Sequence, residues 1–290
     1  MPCTLAASQT AACASGLGKV RDPVMLLQLS TELSRELGVP QTPACDSGIA
    51  KIRDPIMLLQ MIAQLACELN DAATPNLRSL STDLFDAAST VRVTSAITPA
   101  ANRLILVCVS SVGGVGADVS SITGCGLTWQ KINTAQGGPV GATIASLWRS
   151  MGASPTPGSL TVTLTASTVA AIRVVEFSGV NTSGTFGSGA IQQNAAGVGT
   201  AAIDPAVNLA AFQANGKSTG FYVASRGAVG TNPFSGTQEA GWTKDTDTGA
   251  TGAATIGMFI AVRNLTTDNS MIVTAAAADW GIVGIEIIPP

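Results

Sequence analysis

The chain has 290 residues, enough to bury one large core or two modest ones. Only 11% of the residues are charged, against roughly 25% in average soluble domains, and the formal net charge is −3. The Lys and Arg residues are scattered and form no basic face, so we expect no nucleic-acid partner. The sequence contains no histidine, which excludes hydrolysis through an imidazole base and the commonest catalytic zinc sites.

The N-terminal part contains a duplicated segment. Residues 13–37 and 45–69 are related by a shift of 32 positions and are identical at 14 of 25 aligned positions. Each copy carries an Asp-Pro pair suited to the N-cap and first turn of a helix, followed by leucines at three- or four-residue spacing. A lone helix of about four turns is marginal in water, so we expect both apolar stripes to be buried against another surface. The residues assigned to attachment or oligomerisation are Asp22, Pro23, Leu26, Leu27, Leu33 and Leu37, with Asp54, Pro55, Leu58, Leu59, Leu65 and Leu69.

Four of the six cysteines lie in or near these repeats. Cys13 and Cys45 are repeat equivalents and could form one disulfide, with Cys3 and Cys67 as a second, although spacing alone does not set the connectivity. The alternative is that they are small buried apolar residues. A four-thiolate zinc site ranks below both readings, because no CxxC spacing is present, and we expect no metal and no cofactor.

The period of the sequence changes after the repeats. Residues 71–90 are polar and mixed, and they predict a linker with a short helical turn between the helical region, 1–70, and a second domain, 91–290. Alternating or continuous apolar runs predict strands over 91–97 and 103–111. Further strands are predicted over 127–133, 142–150, 159–166, 169–178, 206–213, 218–226 and 254–263, with one or two more over 270–287. Short strands separated by turn residues predict a mainly β domain, an antiparallel β-sandwich of the jelly-roll kind.

Several of these strand and turn segments occur in a recognisable succession. They are Ile97-Thr98-Pro99, LILVCVSS from residue 104, Gly126-Leu127-Thr128-Trp129, Ala145-Ser146-Leu147-Trp148, GSLTVT from residue 158 and VEFSGV from residue 175. The succession resembles a β-sandwich domain that recurs in virion proteins of tailed bacteriophages, and it covers about residues 90 to 290. The tandem SGxxKxRDPxxLLQ units are similar to segments of phage structural proteins. The resemblance implies an accessory virion protein, either a head decoration (cement) protein or a fibre or spike component, and it implies no catalytic residues.

The acidic residues of the second domain are scattered. No two of them share a motif that would fix the separation a glycosidase needs, so we expect no enzyme. Asp245-Thr246-Asp247-Thr248-Gly249 has the DxDxG form of a calcium loop, but Ile256 stands where an EF-hand would supply Glu. A polar turn between strands is the better interpretation of this stretch.

Large aromatic residues give the alternative function, a carbohydrate-binding or receptor-binding module of a tail fibre or spike. Trp129 and Trp148 fall within strand-like segments and are predicted to be core. Trp242, beside the predicted polar turn, and Tyr222 are the candidate glycan contacts. Exposure of either beside acidic groups would favour glycan binding, whereas burial of the whole set would exclude it.

The sequence therefore predicts a non-enzymatic structural protein of a bacteriophage virion. The helical repeats would attach it to a capsid or tail protein, and the sandwich would be displayed at the particle surface. Unpaired sheet edges and a charge-poor surface favour a homo-oligomer, and we expect a trimer. No segment reaches the length of an apolar membrane span and the first residues lack a signal-peptide pattern, so we expect synthesis in the host cytoplasm and no membrane partner. A host-surface glycan is the further partner in the alternative reading.

Overall fold

A computed structural model describes residues 75–112, 117–138, 143–213, 217–227, 237–250 and 256–290. The predicted attachment helices and Cys3, Cys13, Cys45 and Cys67 lie outside these ranges. The described part is mainly antiparallel β-structure, as predicted, with one 3-10 turn at Ser188–Ala190. The strands are β1 Asn76–Val93, β2 Leu104–Val112, β3 Val119–Gly124, β4 Gln130–Gly137, β5 Thr143–Ser150, β6 Leu160–Ser178, β7 Ile191–Ala202, β8 Ala206–Asn208, β9 Thr219–Gly227, β10 Thr237–Gln238, β11 Thr243–Ala250, β12 Ile256–Arg263, β13 Ser270–Thr274 and β14 Ala278–Ile287.

The strands form two large sheets and one small one. The first sheet has the order β1-β6-β2-β5-β4, and β3 also pairs with β6. The second has the order β7-β14-β9-β12-β11, and the small sheet has the order β10-β13-β8. The two large sheets pack face to face across a shared apolar core, which is the arrangement of a β-sandwich.

The winding of the chain differs from the predicted jelly roll. In a jelly roll, successive strands pass back and forth between the two sheets. Here, the described strands up to residue 178 all join the first sheet, and those from residue 191 onward build the second sheet and the small one. The jelly-roll prediction was therefore wrong, because the described strands of each large sheet come from one continuous part of the chain instead of alternating between the two sheets.

The two parts of the sandwich repeat one topology. In the order of each large sheet, β1, β6, β2, β5 and β4 take the same places as β7, β14, β9, β12 and β11. The pairings of β4 and β11 with their neighbours also shift register at the same point, between Lys131 and Asn133 and between Lys244 and Thr246. We call residues 76–178 the first half and 191–287 the second half; the second is a structural copy of the first.

Each half has its own core, and a third core joins them. Along β2, Leu104, Leu106 and Cys108 face the second half, whereas Ile105 and Val107 face the interior of the first half. The β9 side chains alternate in the same way between the joint core and the second half's own core. This period of two is what a strand buried on both faces requires.

An approximate twofold axis relates the halves. Ser110 and Ser225 occupy equivalent places on β2 and β9, and their buried hydroxyl groups hydrogen-bond to each other. Such a contact between equivalent residues arises where a twofold axis passes between them. Near it, the Thr143 hydroxyl lies 2.7 Å from that of Ser225. The buried hydroxyl groups of this joint are thus paired among themselves.

Two local predictions were wrong, and three strands were missed. The linker predicted over 71–90 is strand β1 from Asn76 onward. The polar turn predicted around Asp245 is strand β11, Thr243–Ala250. Strands β3, β7 and β10 were not predicted, because they carry small and polar residues without an apolar alternation.

Candidate functional site

The two predicted glycan contacts are core residues. Tyr222 is 0% exposed and Trp242 is 4% exposed, and their rings pack 5.2 Å apart. The Tyr222 hydroxyl donates a hydrogen bond to the Ile272 carbonyl oxygen at 3.2 Å. The prediction that these side chains contact a glycan was wrong, because strands β9 and β12 and the small sheet enclose them.

The remaining tryptophans are buried as well. Trp129, Trp148 and Trp280 are each 7% exposed, so the prediction of core positions for Trp129 and Trp148 is confirmed. A glycan-binding platform needs an exposed aromatic plane. None of these five aromatic residues presents one.

The acidic pair of the DxDxG stretch is engaged with neighbouring cations. Asp245 accepts two hydrogen bonds from the Arg173 guanidinium, at 2.8 and 3.0 Å, and this ion pair joins the two halves. Asp247 lies 3.7 Å from Lys244. Burial raises the pKa of Asp247, while the Lys244 charge acts to lower it. Within the described residues, no group of three or more His, Cys, Asp or Glu side chains could hold a metal ion.

Two buried glutamates occupy equivalent positions on β6 and β14. Glu176 accepts a hydrogen bond from the Ala100 backbone N–H at 3.0 Å and pairs with Arg78 at 2.7 Å. Glu286 accepts hydrogen bonds from the Gln213 backbone N–H at 3.1 Å and from the Ser218 hydroxyl at 2.6 Å. In both halves, this carboxylate fixes the segment that leads into the central strand β2 or β9. Their polar contacts indicate a structural role.

A shallow cavity of about 420 Å³ opens where β1 meets β11 and β12. Its charged side chains have partners of opposite sign. Arg263 contacts Asp268 at 2.5 Å, and Lys244 and Asp245 form the pairs described above. The cavity therefore offers no distinct chemistry for one class of ligand.

The sheet edges that no described strand pairs with are the more distinctive surface. We call the side formed by β1 and β11 the charged wall, because these strands carry seven charged residues. They are Arg78, Asp83, Asp86, Arg92, Lys244, Asp245 and Asp247. The pairing of β1 with β6 also shifts register at three points. Charges and bulges are among the devices that prevent strand-to-strand association at an edge.

The opposite side, formed by β4 and β7, carries fewer charges, and its register shifts lie at the two ends of β7 and near Lys131 of β4. We call it the plain wall. Lys131 is the one charged residue of these two strands, and β7 reads IQQNAAGVGTAA. The strands meet at Asn133, whose side-chain amide donates to the Asn194 side-chain oxygen at 2.9 Å. The twofold axis makes the two walls equivalent in backbone but leaves them different in charge.

The sequence analysis did not predict strand β7 of the plain wall. Nothing in β7 alternates between apolar and polar residues, and a run of Ala, Gly, Asn and Gln is also typical of a loop. The strand character of β7 can be recognised only through the structural repeat, which aligns β7 with β1. In that alignment, Val198 of β7 corresponds to Leu84 of β1, and both side chains are exposed, by 57% and 45%.

The described residues contain no helix of the length and apolar character needed to cross a membrane. Comparison with known proteins found no family model, no curated protein and no solved structure that matches this chain.

Proposed function

We propose that the chain is a non-enzymatic structural protein of a bacteriophage virion. In this proposal the N-terminal helical repeats attach it to a capsid or tail protein, and the β-sandwich is displayed at the particle surface as a decoration (cement) or fibre component. The phage assignment rests on the resemblance of the strand and turn succession from Ile97 to Val180 and of the tandem helical units.

The observation that carries a structural role is the distribution of polar groups in the sandwich. The ion pair between Arg173 and Asp245 joins the halves, and Glu176 and Glu286 fix the segments before the central strands. These groups serve the fold, whereas the plain wall leaves backbone edges available for association. A domain with this division of roles is suited to assembly.

Self-association is the second element of the proposal. The charge-poor composition favours burial of surface against further copies, and many copies on one particle multiply a weak contact through avidity. A trimer is the arrangement expected from the sequence. Oligomer mass, measured by light scattering on the full chain, distinguishes it from a dimer.

Purified particles provide the test of the virion role. Particles from a lysate of cells that express the chain are separated on a density gradient and probed with an antibody against the sandwich. The chain should band with the particles. Finding it in the lysate but in no particle fraction contradicts the proposal.

Attachment through the repeats is tested by a paired substitution. Leu26→Asp with Leu58→Asp places a charge at equivalent positions of the two predicted apolar stripes and should release the chain from particles. Thr31→Asp with Ala63→Asp adds the same charges away from the stripes and serves as the matched control. Equal binding by both variants would show that the stripes do not attach the chain.

A further inference from the structure

We infer that β7 is the edge at which a second copy of this chain adds, by antiparallel pairing of β7 with β7 across a twofold axis. The five-stranded sheet that contains β7 in one copy would then join the same sheet of the other copy, and the two would form one continuous ten-stranded sheet. This inference rests on the proposed self-association and names the surface that carries it.

The backbone of β7 is suited to pairing along its outer edge. Its pairs with β14 are regular from Gln193 to Gly199, with register shifts only at the two ends. Within the described residues, no strand pairs with its other edge. A strand of 12 residues offers about ten backbone hydrogen bonds to an antiparallel partner of the same length.

The side chains of β7 favour an identical strand over an unrelated peptide. Peptide recognition at a sheet edge takes its specificity from pockets for alternate side chains. Ala196, Val198 and Thr200 are exposed on one face of β7, and they are too small to frame such pockets. In a twofold pair, small uncharged residues of one β7 strand lie opposite small uncharged residues of the other, so no like charges repel each other.

The first half supplies the contrast. β1 holds the same place in its sheet as β7 but carries four charged residues and three register shifts. These features oppose pairing at β1, and their absence from the middle of β7 leaves one of two equivalent edges open. A twofold pairing through β7 gives dimers or even-numbered assemblies in place of the expected trimer.

Matched substitutions of equivalent residues test the inference in the full chain. Val198→Lys places a charge on the pairing strand of each copy and should weaken association by roughly fivefold. Leu84→Lys makes the same kind of change at the equivalent exposed position of β1 and should leave the dissociation constant unchanged. Both constants are measured by sedimentation equilibrium, and circular dichroism verifies the fold of each variant.

Hydrogen–deuterium exchange provides a second measurement that does not depend on a variant. Peptides covering 191–202 should exchange more slowly as the concentration of the unmodified chain rises, and peptides covering β1 should not change. Three results would overturn the inference: a monomer at all concentrations, equal effects of Val198→Lys and Leu84→Lys, or concentration-independent protection of β7. If the chain bands with particles but any of these results is found, the virion role stands and the β7 contact fails.

Discussion

Replacing Arg173 with Met should destabilise the sandwich by about 3 kcal/mol. The Arg173 and Asp245 side chains are 11% and 9% exposed, and their ion pair links β6 of the first half to β11 of the second. Removing the cation leaves a carboxylate largely shielded from water with no ionic partner, which typically costs about 3–5 kcal/mol. The residual exposure places the cost at the lower end of that range. For a domain of this size, the loss corresponds to a fall in Tm of about 6–12 °C.

The double variant Arg173→Met with Asp245→Leu separates the ion pair from the packing. It removes both charges and should recover most of the lost stability, ending within about 1 kcal/mol of the unmodified chain. Lys131→Met is the matched control, because Lys131 pairs with Asp118 at 2.6 Å but is 36% exposed, so its loss should cost less than about 1 kcal/mol. Urea unfolding followed by tryptophan fluorescence gives all three values. Equal costs for Arg173→Met and Lys131→Met would refute the argument from burial.

Three further predictions concern close packing and buried ionisable groups. Gly137→Ala should destabilise the sandwich by more than about 2 kcal/mol in urea unfolding, because the added Cβ would lie 1.9 Å from the Trp280 carbonyl oxygen. Gly158→Ala is the control and should have little effect, because no atom lies within 4 Å of its added Cβ. Tyr222 is the chain's one tyrosine, and burial, aided by the Glu239 charge, raises its pKa. Tyrosinate absorbance should therefore stay low in the native chain above pH ~10, and titrate near its ordinary value in urea. Because the Tyr222 pKa is higher in the folded chain than in the unfolded one, its contribution to stability is complete below pH ~10 and is lost as the pH rises further. The urea midpoint should therefore fall in alkali, and Tyr222→Phe should reduce that fall. Burial also raises the pKa of the Cys108 thiol, and mass mapping should find it unmodified by thiol reagents until the chain unfolds.

The sequence predicted the inner strands well. β2, β5, β9 and β12 are apolar runs whose observed bounds lie within one or two residues of the predicted ones. These strands are buried on both faces, so their composition follows directly from their surroundings.

The edge strands were not predictable in the same way. Among the described strands, β7 has one neighbour and is exposed at alternate residues, so it needs neither β-branched residues nor a regular alternation. β11 carries Asp245 and Asp247 for pairing with Arg173 and Lys244, and local sequence shows acidic residues without showing their partners. The burial of Trp242 follows from the small sheet, whose strand β10 is too short to be recognised in the sequence.

The structural repeat was hidden for a related reason. The halves share strand order and the register shift near Lys131 and Lys244, but few aligned residues outside Trp-x-Lys are identical. Topology depends on which strands pair, and many different apolar residues satisfy the same pairing. Duplication at the N-terminus is visible because many residue identities were retained, whereas in the sandwich the pattern of burial and pairing remains with only a few identities, such as Ser110 with Ser225 and Glu176 with Glu286.

The contiguity of each half affects how the chain can be synthesised and folded. The described strands of the first sheet are complete at residue 178, so their pairings need no residue of the second half. Domains generally form in the order in which they leave the ribosome. Until the second half arrives, Leu106, Val175 and Phe177 would face water over a broad apolar sheet. During synthesis the greatest risk of aggregation therefore lies in the interval between the two halves, and a chain interrupted there would expose the surface most in need of a chaperone.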